Sequence, residues 1–241
     1  MVWKNVQCRL RGILLVSSAF SFSFFAVPRG GFQQESAAAG SGTIRGKISV
    51  FRSDDVTNDL MRERALNRYE TGSENLKPAE PYRLSEKAVV YLESVPGTYD
   101  PPKEHARLDQ RDLLFRPLVL PVLAGTTVDF PNDDPLYHNV FSISGPKEFD
   151  LGRYPKGQKK SVLFDRAGIV SVFCEIHSYM FSTILVLQNP FFATPDDDGA
   201  YVISNIPAGT YKMNFWFGRK KVESRTVTIR NNETTTVNFL Y

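Results

Sequence analysis

From about residue 40 to the end of the chain, apolar residues come in short runs or in strict alternation with polar ones. Gly, Pro, Asn and Asp break the runs, and a sustained helical period is almost lacking. The strand-length segments are TIRGKISVF, KAVVYLE, LVLPVL, TTVDF, HNVFSI, KSVLF, GIVSVFC, STILVLQ, AYVIS, GTYKMNFWF, SRTVTI and TTTVNFLY. In the last of these, Val237, Phe239 and Tyr241 share one face, while the threonines and Asn238 take the other. The pattern predicts an all-β protein of the sandwich type.

Two segments depart from it. Residues 52–87 are charged, with a helical pattern from about Val56 to Tyr69 and a Pro-containing tail, and read as a surface excursion. A basic recognition helix fits less well, because Asp59, Glu63 and Glu70 are interleaved with the arginines. At the start of the chain, Lys4, Arg9 and Arg11 precede an apolar run from Ile13 to Val27, which the small-residue tract SAAAGSG follows. Residues 1–39 therefore read as a signal peptide and linker, with export to the periplasm or the extracellular space as the expectation. An uncleaved anchor is the other reading, but the run is short and serine-rich. Cys8 lacks the small-residue context of a lipid-attachment site. No later segment is apolar enough to span a bilayer, so the mature chain is not expected to be an integral membrane protein.

The chain has 241 residues, 42% of them hydrophobic, which is enough for one large or two ordinary folded domains. Its formal charge of +3 originates in the leader, where Lys4, Arg9, Arg11 and Arg29 face only Glu35. The remainder is balanced and carries no electrostatic footprint for nucleic acid. Removal of the leader also removes Cys8, leaving Cys174 as the one thiol of an exported chain. Such a thiol is either buried and inert or held by a metal.

The segment GIVSVFCEIHSYM turns that choice into chemistry. Cys174, His177 and Met180 form C-x2-H-x2-M at a strand end, and His138 opens another strand after the turn-rich FPNDDPLY. Two imidazoles, a thiolate and a weak thioether are the trigonal-plus-axial set of a blue-copper electron-transfer site. Taken singly, each histidine could be a turn residue and the methionine core filler. His105, in PPKEHARL, has no such company and reads as loop. With three histidines in all, the chain is too poor in ligands for the multi-copper clusters that reduce oxygen, so an oxidase is excluded and no enzyme is expected.

Over about residues 107–189 the chain resembles the cupredoxin family of plastocyanin, amicyanin and their relatives. The resemblance rests on LFRPLVLPVLAGTTVDFPNDDPLYHNVFS, on FDLGRYPKGQKKSVLFDRAGIVSVFCEIHSYM and on STILVLQ. It implies a Greek-key β-sandwich binding one type 1 copper through His138, Cys174 and His177, with Met180 axial. It also implies that Asn139 tethers the ligand loops by hydrogen bonds. The spacing before Met180 is closer to amicyanin, and Ser178 stands where a proline is common. A second likeness surrounds the first: GTIRGKIS, KAVVYLE and ATPDDDGAYVISNIPAGTYKMNFW resemble carboxypeptidase-regulatory-like, transthyretin-like sandwiches. The order of these signatures predicts a cupredoxin domain at 97–189 inserted into, or joined to, a sandwich made from 43–95 and 190–241. Asp196, Asp197 and Asp198 read as a tight turn and not as a calcium site.

The function so implied is single-electron transfer with a redox protein such as a cytochrome or a dehydrogenase. His177 is then the electron port, and Tyr137 and Tyr179, with Pro135 and Phe181, form an apolar docking patch. Copper trafficking and a copper-free binding module stand as alternatives.

Overall fold

The computed structural model describes residues 40–51 and 82–241. The leader, and the helix expected at 56–69, lie outside the described residues. The rest is a β-protein of several sheets, as the alternation requires.

Two sheets are built from the beginning and the end of the described chain. β1 (Ser41–Ser49) runs antiparallel to β14 (Ala200–Pro207) and parallel to β17 (Thr234–Thr236) and β18 (Phe239–Leu240). β2 (Ala88–Glu93) runs antiparallel to β15 (Gly209–Phe217), which forms a hairpin with β16 (Lys220–Ile229), and β13 (Phe192–Ala193) borders β2 on its other side. The inward residues of both sheets, among them Ile44, Ile48, Val90, Leu92, Ile203, Met213, Phe215 and Phe239, merge into one core. Gly46 is required where β1 passes the C-terminal strands: a Cβ there would lie 1.6 Å from the Val237 carbonyl oxygen. Val237 and Phe239 are buried and Asn238 is exposed, as their alternation predicts.

The intervening residues form a second pair of sheets. Five strands are ordered β6 (Val119–Leu123), β12 (Phe181–Leu187), β11 (Gly168–Phe173), β8 (His138–Ser144) and β9 (Lys147–Tyr154). Three more are ordered β10 (Lys159–Phe164), β7 (Thr126–Pro131) and β3 (Ala106–Arg107). The β6–β12 pairing is parallel and the other ladders of the five-stranded sheet are antiparallel. Phe130, Val140, Phe164, Val170, Val172 and Ile184 fill the space between the sheets. A small hairpin, β4 (Asp109–Arg111) with β5 (Leu114–Arg116), touches β7. The apolar pattern did not predict β9, an edge strand with much polar, exposed surface, whose Phe149 and Leu151 nevertheless pack against the core.

A third apolar cluster joins the sheets of the two sets. Val89 and Trp216, from β2 and β15, meet Leu118, Val119, Phe181 and Leu185, from the β6–β12 side. Tyr82 belongs to the same cluster, 3% exposed, and its hydroxyl donates to the Phe115 carbonyl. Beside it, Glu86 of the single-turn helix α1 (Leu84–Lys87) accepts two hydrogen bonds from buried Arg116, at 2.9 and 3.0 Å. This corrects one expectation: the charged segment is not a surface excursion throughout, because its end is pinned by Tyr82 and Glu86. The chain leaves β2 and returns to it at adjacent points, where the Leu92 amide donates to Phe191 and Asn189 Nδ2 donates to the Leu92 carbonyl, both at 2.9 Å.

His105 stands in the loop before β3, but it has a partner there. Its Nδ1 lies 2.8 Å from Oδ1 of Asp129, which also accepts from Ser161 Oγ and, through Oδ2, from Lys159 Nζ, both at 2.6 Å. Burial opposes the charge on Asp129, but hydrogen bonds from Lys159, Ser161 and His105 hold its carboxyl below the usual carboxylate range. Its folded-state value lies below an unfolded value of about 3.9, so the stability it contributes is present above that value and is lost as pH falls towards the folded one. In urea unfolding, Asp129→Asn should cost about 1–3 kcal/mol at neutral pH. It should also lose less stability than the parent between pH 5 and pH 2; equal acid losses would remove Asp129 from that role.

Candidate metal centre

One end of the second pair of sheets is shaped by where three strands begin or stop. β8 starts at His138, and its alternation sends His138, Val140 and Ser142 to the buried face. β11 stops at Phe173 and hands Cys174 to a loop that returns into β12 at Phe181. The loop is closed by the Met180 amide, which donates to the His177 carbonyl at 2.9 Å. His138, Cys174 and His177 thereby meet, with their candidate ligand atoms within 4.8 Å of one another. Nδ1 of His138 lies 3.0 Å from Nδ1 of His177, which lies 3.8 Å from the Cys174 Sγ. His138 is fully buried, and Cys174 and His177 are each 4% exposed.

The electrostatics follow from this crowding. Burial alone would raise the Cys174 thiol, but hydrogen bonds from His138 and His177, with the backbone amides nearby, bring it down to about 5. Burial works against a charge on His138, yet Asp134 and Cys174 hold its basicity above the ordinary histidine value. At neutral pH the set offers a thiolate and converging imidazole nitrogens. Metal–nitrogen and metal–sulfur bonds of about 2.0 and 2.3 Å would let one ion span the 3.0 Å between the nitrogens and the 3.8 Å between His177 and the thiol. The residues fit a soft or borderline metal ion. Met180, fully buried, lies in the same apolar cluster as Cys174.

The surrounding residues divide into those the sequence indicated and those it did not. Asn139 Oδ1 accepts from the Glu175 amide at 3.3 Å and its Nδ2 donates to Asp150 at 2.6 Å, tying the start of β8 to the ligand loop. Asp134 was not singled out. It is 3% exposed, and its Oδ2 accepts from His138 Nε2 at 2.8 Å. The available signal was an Asp four residues before His138, but Asp133 stands next to it, and only the fold shows that Asp133 turns outward to Arg107.

The docking residues need a correction. Tyr137 is 59% exposed and Pro135 is exposed, as expected, but Tyr179 is 1% exposed and Phe181 only 7%. The loop turns Tyr179 and Met180 inward together, and the Tyr179 ring packs 6.1 Å from that of His177. Phe181 is committed to the cluster that joins the two sets of sheets. The exposed apolar neighbour of His177 is instead Ile176, at 37%. An apolar residue between the cysteine and the histidine of the loop was the signal for it. Elsewhere, Asp196 Oδ1 accepts from the amides of Asp198 and Ala200, so the acidic run is a turn.

Two facing sheets, a histidine at the head of one strand, and a cysteine–histidine loop between two others define a cupredoxin-like fold. No family model matches the chain, and no curated protein does. Among solved structures it is similar to the copper-containing nitrite reductase NirK from Thermus scotoductus SA-01. The identity is 25% and the TM-score 0.35, with 40% of this chain and 25% of that one covered. It is also similar to a purple cupredoxin from Nitrosopumilus maritimus (25% identity, TM-score 0.31, 34% and 98% covered). A Cu(I) form of an amicyanin variant is a further neighbour (22% identity, TM-score 0.33, 40% and 97% covered). The chain thus spans a quarter of the reductase and nearly the whole of the purple cupredoxin and of the amicyanin variant.

Proposed function

We propose that His138, Cys174, His177 and Met180 hold one type 1 copper ion, and that the protein is a single-electron carrier and not an enzyme. The observation that carries this reading is the meeting of two Nδ1 atoms, 3.0 Å apart, with a thiol 3.8 Å from one of them, in a buried pocket. Bound by such a set, copper would supply a one-electron couple whose potential the Met180 thioether would tune. The chain's own part is to hold the ligands in place before the metal arrives, to keep Cys174 ionised, and to exclude water. A closed site suits a carrier, since only charge has to cross the surface. Export to the periplasm or beyond rests on the leader, and the partner on this reading is a redox protein such as a cytochrome or a dehydrogenase. Among the described residues no helix is long and apolar enough to cross a membrane.

Copper-loaded, oxidised protein should show an intense visible thiolate-to-Cu(II) band, and Cys174→Ser should abolish it with the β-type circular dichroism unchanged. Met180→Gln should stay coloured with a lower reduction potential. Tightly held but colourless Cu(I) would point to trafficking, and failure to take up copper would point to a binding module.

For docking, exposed Tyr137 and Ile176, the sequence neighbours of His138 and His177, replace the patch first expected, with His177 as the port. Tyr137→Lys should slow second-order electron exchange with a cytochrome and leave the visible spectrum intact. An unchanged rate that depends steeply on ionic strength would move the interface to a charged face.

The domain reading is nested: a cupredoxin domain at 97–189 within a carboxypeptidase-regulatory-like sandwich of 43–95 and 190–241. The direct pairing of β1 with β14 and of β2 with β15 supports it, as do the adjacent entry and exit points at Leu92 and Phe191. Excising residues 97–189 and joining the ends by a short flexible linker should leave a remnant that unfolds cooperatively. A remnant without β-type circular dichroism would refute the nesting.

A further inference from the structure

Both carboxylate oxygens of Asp134 accept hydrogen bonds. Oδ1 takes the Asp112 amide at 2.6 Å, and Oδ2 takes the Leu113 amide at 2.8 Å together with His138 Nε2 at 2.8 Å. Its own amide donates to Asn132 Oδ1 at 3.0 Å. The two amides come from the turn between β4 and β5, where Asp112 and Leu113 both adopt left-handed backbone, φ 56° and 59°. Two successive left-handed residues, one of them a leucine, are sterically disfavoured. Here they aim consecutive N–H groups at a single carboxylate. Asp134 is therefore fixed from outside the ligand segment, by a hairpin that supplies no ligand.

We propose that Asp134 is a positioning residue of the metal centre, which holds the His138 ring by its far nitrogen and leaves Nδ1 bare toward His177 and Cys174. The inference rests on reading the centre as a metal site. An ionised carboxylate can only accept, so the proton of the 2.8 Å contact sits on Nε2. In the neutral ring the other nitrogen, Nδ1, then carries a lone pair, and it is the one 3.0 Å from His177 Nδ1. Asp134 sets the tautomer and the plane of the ring through its far nitrogen, as outer partners of metal-bound histidines do.

The test begins on metal-free protein, by ¹⁵N NMR of the imidazoles at a pH where His138 is neutral. Wild type should carry the His138 proton on Nε2; a proton on Nδ1 overturns the proposal whatever any variant does. Asp134→Asn, close in shape but unable to accept the second amide in the same way, should shift His138 toward a mixture of tautomers. It should also weaken Cu(II) or Zn(II) binding by about 10- to 100-fold. Asp129→Asn is the control for mere destabilisation and should leave both the tautomer and the affinity unmoved. An Asp134→Asn protein with wild-type tautomer and affinity overturns the proposal, as does an Asp129→Asn protein with the same losses. Wild type that binds neither ion would defeat the metal reading, while the tautomer measurement would still judge Asp134.

Discussion

Two imidazole nitrogens 3.0 Å apart, beside a thiol and largely buried, form an arrangement that a protein must hold against lone-pair repulsion and desolvation. Only a proton or a cation between the nitrogens relieves it. Nearly everything at this end of the second pair of sheets is understandable as support for that approach. β8 begins where His138 has to be inside, and β11 ends where Cys174 has to meet it. A close turn from His177 to Met180 then carries the loop back into β12.

The support reaches well past the ligands. Asn139 ties β8 to the loop, and Asp134 ties the histidine to the β4–β5 turn. Behind them, Gln110 Nε2 donates to the Tyr154 hydroxyl at 2.7 Å, which donates in turn to the Phe130 carbonyl at 2.9 Å. Tyr154 is the register partner of His138 across β8 and β9, so this buried polar chain fixes the strand on which the ligand sits. Buried polar groups bonded in series rigidify a site, and here only Gln110 Oε1, at the head of the chain, is left without a partner. On the proposed reading that rigidity matters, since ligands that do not move need no rearrangement when charge arrives or leaves.

The outer pair of sheets bears on the centre through the same scaffold. Trp216 and Val89 cover one face of β6 and β12, the latter being the strand into which the ligand loop returns. Arg116, at the end of β5, is held by Glu86 at 2.9 and 3.0 Å, so the hairpin that clamps Asp134 is itself anchored to α1, just ahead of β2. Apolar burial supplies the attachment, and the Arg116–Glu86 pair gives it direction. One consequence is that Phe181, adjacent to Met180, faces an internal joint and not a partner.

Local pattern alone determined the strands and the candidate ligands. Alternation is a property of consecutive residues, so β15 could be read at Gly209–Phe217 and the C-terminal strand could be oriented by Val237 and Phe239. The C-x2-H-x2-M spacing likewise lies within a single turn of chain. What the sequence left open depends on contacts distant along the chain. Asp133 and Asp134 are identical neighbours until the β4–β5 amides capture one and Arg107 the other. Tyr179 and Ile176 are both apolar loop residues, and only the packing beneath His177 decides which is covered. β9 carries too little apolar surface to announce itself, because an edge strand is stabilised by its one neighbour, β8, and not by burial on both faces. Periodicity records which face a side chain takes; tertiary structure decides what waits on that face, because a loop has no period to constrain it.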